Sequence, residues 1–166
     1  MEITQELLKQ HFEYKYGFLY MKKRFPSSGG KQAILGVKMG CKNKAGYWVI
    51  WLNKKTHYTH RLIFLFHHGY LPEFIDHIDG DRSNCKIENL RAATRSQNNS
   101  NKKPSNKHSI YLGVRKDGNT WFAVIKVKGK HIYKRTNSEQ QAAREYNKLA
   151  VMYHKEFAHL NIIKVE

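Results

Sequence analysis

The chain has 166 residues and a formal net charge of +17, with 40% hydrophobic and 13% aromatic residues. That length and apolar content build one or two small cores, which excludes a disordered tail. The longest uninterrupted apolar run, "YWVIWL" at 47–52, is far too short to span a bilayer, and Lys and Arg exceed Asp and Glu in both halves, which suits a polyanion such as nucleic acid.

The N-terminus, "MEITQELLKQHF", mixes acids with bases and holds no apolar signal core, so a soluble intracellular protein is expected. Cys41 and Cys85 stand far apart and form no CxxC pair. Neither a zinc knuckle nor a disulfide framework is indicated, and both thiols are expected to be reduced. The aromatic-rich "YKYGFLYMKKRF" at 14–25 leads into "PSSGGK" at 26–31. A phosphate-binding loop would need glycine where Phe25 stands and Ser or Thr where Gln32 stands, so this stretch is read as a turn.

"GYWVIWLNKKTHYTH" predicts a hairpin, with apolar residues over 47–52, a turn at Asn53 to Lys55 and a return over Thr56 to Thr59. "RLIFLFHHG" predicts a short helix, with Thr59 as its cap and Gly69 and Pro72 closing it. "EFIDHI" then reads as a strand with Phe74, Ile75 and Ile78 in the core, "GDRSN" as a loop and "NLRAAT" as a returning strand. "TRSQNNSN" opens a helix, because Thr94 and Gln97 make a T-x-x-Q capping box.

That strand, loop, strand, helix segment gathers unusual chemistry. A carboxylate at Asp76 and an amide oxygen at Asn98 are hard ligands suited to Mg²⁺ (or Mn²⁺), which takes few protein ligands when phosphate oxygens complete its shell. His77 beside them can accept a proton from water near neutral pH. One metal and one base make a site for phosphodiester hydrolysis. Adjacent strand residues point to opposite faces, so Asp76 and His77 share a site only where the strand ends or twists. Asp79 and Asp81 are expected to close turns: an EF-hand counted from Asp79 would put Asn84 where glycine is required and Leu90 where the bidentate Glu belongs. Cys85 is expected to be buried, and His57, His60, His67 and His68 to be structural or phosphate-facing.

At these residues the segment resembles the HNH endonuclease family. "DH" at 76–77, "NL" at 89–90 and "QN" at 97–98 match its three stations, with "HRL" at 60–62 and "SQNN" at 96–99 as in phage members. The resemblance implies a ββα-metal fold, His77 as general base, Asp76 and Asn98 as metal ligands, Asn89 bracing the loop that orients His77, and His60 and Arg61 as supporting residues, Arg61 also on DNA. Asn98 stands where many members have His, as in the His-Asn-Asn subtype of homing endonucleases, some of which nick one strand.

"NSNKKPSNKHS" at 99–109 reads as a basic linker between an HNH region at 1–98 and a second module at 110–166. There the sequence predicts three strands, Tyr111 to Arg115, Trp121 to Lys126 and His131 to Arg135, with turns at Asp117–Gly118 and Gly129. A helix follows, capped by Ser138 and Gln141, whose stripe of Ala142, Tyr146, Leu149, Ala150 and Tyr153 covers one sheet face. The other face is expected to show Arg115, Lys126, Lys128, Arg135 and Trp121 or its neighbours to DNA. "YLGVR", "WFAVIKV", "AAREYNKLA" and "HKEFAHLN" resemble the plant Apetala/ethylene-response-factor DNA-binding domain, whose sheet enters the major groove. Leu112 and Lys126 stand where that family usually has arginines, which implies weaker readout of guanine.

The expectation is therefore an α+β protein: a metal-dependent, site-preferring DNA endonuclease or nickase acting as a monomer on double-stranded DNA. A phage homing endonuclease in the cytoplasm of a bacterial host is the implied biology. A non-catalytic, sequence-specific DNA-binding regulator is the alternative.

Overall fold

The computed structural model describes residues 2–25, 35–101 and 109–163. The turn read at 26–31 and most of the linker read at 99–109 lie outside them. The protein is α+β, built from small antiparallel sheets and few helices. Two compact units divide it, Met1–Thr94 and Arg95–Glu166.

The first unit opens with helix α1 (Gln5–His11), whose N-cap Thr4 accepts a hydrogen bond from the Leu7 N–H. It runs directly into the hairpin of β1 (Phe12–Lys15) and β2 (Phe18–Met21). Strands β3 (Cys41–Lys42), β4 (Trp48–Leu52) and β5 (Lys55–Tyr58) form an antiparallel sheet in that order. The β4–β5 turn is Asn53–Lys54, both with positive φ (51° and 59°), the geometry of a two-residue hairpin that follows the right-handed twist of its strands.

Helix α2 (Thr59–His68) follows β5 without a loop. For that reason Tyr58, not Thr59, takes the N-cap position; no side chain caps the helix, and Thr59 is fully buried in its first turn. Gly69 closes α2 in the left-handed conformation (φ 76°), its N–H bonded to the Leu65 carbonyl, as expected of a C-terminal glycine. The apolar run Leu62–Leu65 is buried because α2 is the central helix of this unit's core, packed with Leu8, Phe12, Leu19, Ile50 and Ile75.

Strands β6 (Phe74–His77) and β7 (Leu90–Ala93) form a two-stranded antiparallel pair, in the register Asp76 opposite Arg91 and His77 opposite Leu90. The apolar pattern places Ile78 in the core, but β6 ends at His77, the chain turns away, and Ile78 is 45% exposed. The loop from 78 to 89 is anchored to the N-terminal hairpin, where the Tyr14 hydroxyl accepts from the Ile87 N–H at 3.0 Å. Gly17 (φ 84°) lies so close that a Cβ there would sit 2.9 Å from the Lys86 nitrogen.

The second unit begins with α3 (Arg95–Ser100). Its sheet is β8 (Val114–Asp117), β9 (Thr120–Val127) and β10 (Lys130–Thr136), with β9 in the centre. The first strand starts at Val114 rather than Tyr111. Gly113 turns the chain with φ 67°, and a Cβ there would meet the Tyr146 ring at 2.0 Å. Leu112 is held by a side chain instead of a ladder, its N–H and carbonyl both bonded to the Asn161 amide at 2.6 and 2.9 Å.

Helix α4 (Glu139–His154) is capped by Ser138, which accepts from the Gln141 N–H at 3.1 Å. The Gln141 side chain reaches back to the Asn137 N–H at 3.2 Å, completing the reciprocal cap one residue further out. Ala142, Ala143, Tyr146 and Ala150 are buried against the sheet, whereas Tyr153, placed in the same stripe by spacing, is 42% exposed.

Candidate active site

His77 stands at the end of β6, where the strand gives way to a loop. Its ring meets His60 edge-on with centroids 4.9 Å apart, and Tyr47 lies 6.2 Å from it. Burial pushes the His77 imidazole below its ordinary pKa; Asp79, Asp76 and Asp81 pull it part of the way back, and Arg82 adds to the lowering. The neutral ring that a general base requires is thus favoured near neutral pH. His60 is buried on α2, its Nδ1 without a hydrogen-bond partner, and burial, then His77 and Arg61, push its pKa down to about 3.

Asp76 is 3% exposed and points toward Arg91, the residue directly across the β6–β7 ladder. The Arg91 Nε and Nη2 both donate to Asp76 Oδ2, at 2.8 and 2.7 Å. The pair follows from the register: antiparallel partners share a face, so a buried carboxylate meets a guanidinium there. Sequence reasoning missed Arg91, although the two predicted strands and a His77–Leu90 register would have found it.

Asn89 ends the 3₁₀ turn Ile87–Asn89, and its side chain clamps the loop that leaves His77. The amide oxygen accepts from the Asp79 N–H at 3.0 Å, and the amide nitrogen donates to Asp79 Oδ1 and to the Asn84 carbonyl, each at 2.9 Å. The Asn89 backbone carbonyl accepts from the Ile78 N–H, the residue after His77, at 2.9 Å. Asp79 also accepts from the Asp81 N–H and the Asn84 side chain, and Asp81 accepts from the Ser83 N–H and hydroxyl. Both aspartates therefore close turns. Burial alone would raise the pKa of Asp79, but the bonds from Asn84, Asp81 and Asn89 override it and hold the carboxyl below its ordinary range. Cys85 is 2% exposed beneath this loop, and burial pushes its thiol up to about 12, so it packs as an inert side chain.

Among the described residues no group of three His, Cys, Asp or Glu side chains gathers to hold a metal. The buried carboxylate of Asp76 is a hard oxygen donor, the kind taken by a divalent cation that keeps water and phosphate oxygens. Asn98 lies half-buried on α3, in the second unit, whereas Asp76 and His77 on β6 and Asn89 in the turn before β7 belong to the first.

The expected DNA-contacting residues divide. Arg61 donates to the Pro72 and Glu73 carbonyls at 3.3 and 3.2 Å, so its guanidinium supports the entry to β6. Arg115, Lys126 and Arg135 are exposed, and in the β8–β9–β10 register they fall on the face away from α4 with His131 and Tyr133. Lys128 is exposed in the β9–β10 turn with φ 49°. Trp121 does not share the open face. It packs beside Tyr111, Val114, Ala142 and Ala143, because Trp121 alternates with Ala123 and Ile125 on the side that α4 covers.

Residues 57–100 match the family model described as HNH endonuclease. The matched segment runs from β5 through α3 and contains Asp76, His77, Asn89 and Asn98. The chain is also similar to an uncharacterized HNH endonuclease of Acanthamoeba polyphaga mimivirus, at 38% identity over 125 residues, covering 72% of this chain and 65% of that protein. The chain thus spans somewhat less than two thirds of that relative's length. No solved structure matches it.

Proposed function

We propose that this chain is a metal-dependent, site-preferring endonuclease or nickase that hydrolyses phosphodiester bonds in double-stranded DNA. The observation that carries the reading is the Asn89 clamp: it fixes the loop that begins directly after His77, inside the segment matched to HNH endonucleases. Such a clamp fits a base that must be held in one orientation before substrate arrives.

In this reading His77 takes a proton from water as the water oxygen bonds to phosphorus, the bond from phosphorus to the leaving oxygen breaks, and that oxygen is protonated from solvent. Asn89 orients His77 through the loop. Asp76 and Asn98 would hold Mg²⁺ or Mn²⁺, which neutralises charge growing on the phosphate and the leaving oxygen. Arg91 holds Asp76 in its buried position. Asn98 in place of a third-station histidine favours nicking within a homing endonuclease, with a phage and its bacterial host's cytoplasm as the setting and a monomer as the acting form. The second unit reads DNA as an Apetala/ethylene-response-factor-like sheet through Arg115, Lys126, Lys128 and Arg135.

Supercoiled plasmid incubated with the protein tests this reading. Open circles that form with Mg²⁺ or Mn²⁺ and not with a chelator are the expected result. Intact supercoils under every metal condition would leave a DNA-binding protein without nuclease activity.

A further inference from the structure

The β3–β4–β5 sheet buries Ile50 and Leu52 on one side. Its other side carries Val49, Trp51, Thr56 and Tyr58, by the pairs Val49 with Tyr58 and Trp51 with Thr56. Trp51 is 64% exposed and Tyr58 44%, and the proposed reaction uses neither side chain. Trp51 and Tyr58 are diagonal neighbours, spaced for contact with successive flat groups. The row continues: Tyr58 meets Tyr47 at 5.2 Å, Tyr47 meets His77 at 6.2 Å, and the Arg82 guanidinium lies 5.2 Å over the Tyr47 ring. An aromatic path therefore runs from the open sheet face to the proposed base.

We propose that this face is a stacking platform for unpaired nucleotides, so that the scissile phosphate reaches His77 from a locally unpaired strand. The inference rests on the nuclease reading and names its substrate form. Charge selects the occupant: the Arg82 guanidinium lies over the Tyr47 ring, Lys54 is exposed in the β4–β5 turn at the end of the row, and the chain carries +17. An exposed row of aromatic rings interleaved with cations fits bases and phosphates. A paired duplex hides its base faces within its own stack, whereas an unpaired strand offers one face per nucleotide.

The test uses the full chain, metal-free with a chelator, and labelled DNA of one sequence in two forms, fully paired or with a short unpaired bulge. Fluorescence anisotropy should give roughly tenfold or tighter binding to the bulged form. Trp51→Ala and Tyr58→Ala should each remove most of that preference, and Trp51→Phe should keep most of it, since the face of the ring is what stacks. Trp51 is mainly exposed, so its loss leaves the core intact. Equal binding of the two forms by the unaltered chain, or a preference that both alanine variants retain, overturns the proposal. So does a wild-type dimer that Trp51→Ala makes monomeric with its DNA preference unchanged, which would mark the face as a contact between copies. Because nothing is cleaved, a failed nuclease assay and a failed stacking assay are distinguishable.

Discussion

Asn89 and Asp79 hold each other reciprocally: the Asn89 amide oxygen accepts from the Asp79 N–H at 3.0 Å while its nitrogen donates to Asp79 Oδ1 at 2.9 Å. Two residues beyond His77, the loop is thereby tied to the far end of its own span. Asn89→Ala removes these bonds and the one to the Asn84 carbonyl. At about 1 kcal/mol each, the loss should be roughly 1–3 kcal/mol of stability. Cleavage should fall further than unfolding explains, by about 10-fold or more at a temperature where the variant stays folded, because His77 loses its fixed orientation. Chemical denaturation beside nicking rates checks this, and a variant that loses stability with an unchanged rate would remove Asn89 from the positioning of His77.

Arg91 and Asp76 make a second test. Removing the guanidinium leaves a buried carboxylate without its counter-charge, which typically costs about 3–5 kcal/mol. Arg91→Ala should therefore melt well below the parent, and Mg²⁺ should raise its melting temperature more than it raises the parent's, since a cation at Asp76 replaces the lost charge. Equal metal responses in the two proteins would argue against Asp76 as a ligand.

The β4–β5 hairpin and the order strand, loop, strand, helix were legible because turn residues and apolar runs are local signals. Asn89 was legible through resemblance, and its hydrogen bonds supply the physical reason for that residue at that place. Arg91 was not legible, since a cross-strand pair appears only once register is known. Strand parity alone sets Trp121 and Lys126 on opposite faces of β9, so both cannot stand on the open one; that α4 covers the Trp121 side appears only in the packing. The Tyr47–Tyr58–His60–His77 row depends on β5 entering α2 without a loop, a joint that composition does not announce.

The packing of Trp121 sets what its variants should do. Trp121→Ala opens a gap beside Val114 and Ala142 and should destabilise the second unit, by about 2–4 kcal/mol for a half-buried ring. Lys126→Ala and Arg135→Ala, both exposed, should leave stability almost unchanged. Each should flatten the slope of log affinity against log salt by about 0.9 if its side chain contacts phosphate. Thermal melts and salt-dependent binding separate the two classes, and an unchanged slope in both cationic variants would move the phosphate contacts elsewhere.

His60 predicts an acid-sensitive fold. Its ordinary pKa of 6.5 is pushed down to about 3 in the folded protein, so between those values the unfolded chain binds a proton that the folded chain does not. Stability should fall as pH drops through 6.5, by about 1.4 kcal/mol per unit from this group, and stop falling from it near pH 3. His77, lowered for the same first cause, adds in the same direction. His60→Leu should flatten the decline by close to one proton. Denaturation midpoints between pH 4 and 7, the same in slope for parent and variant, would show that His60 is not held neutral by burial.

The central claim is that His77 is the base of a metal-assisted phosphodiester cleavage, and single-turnover nicking of one DNA substrate by parent and His77→Ala measures it most directly, with DNA affinity read in parallel. The account predicts a rate lower by roughly 10²-fold or more at saturating Mg²⁺ or Mn²⁺, with affinity nearly unchanged, because a general base acts in the transition state. A His77→Ala protein that binds and nicks at the parent's rate would contradict it.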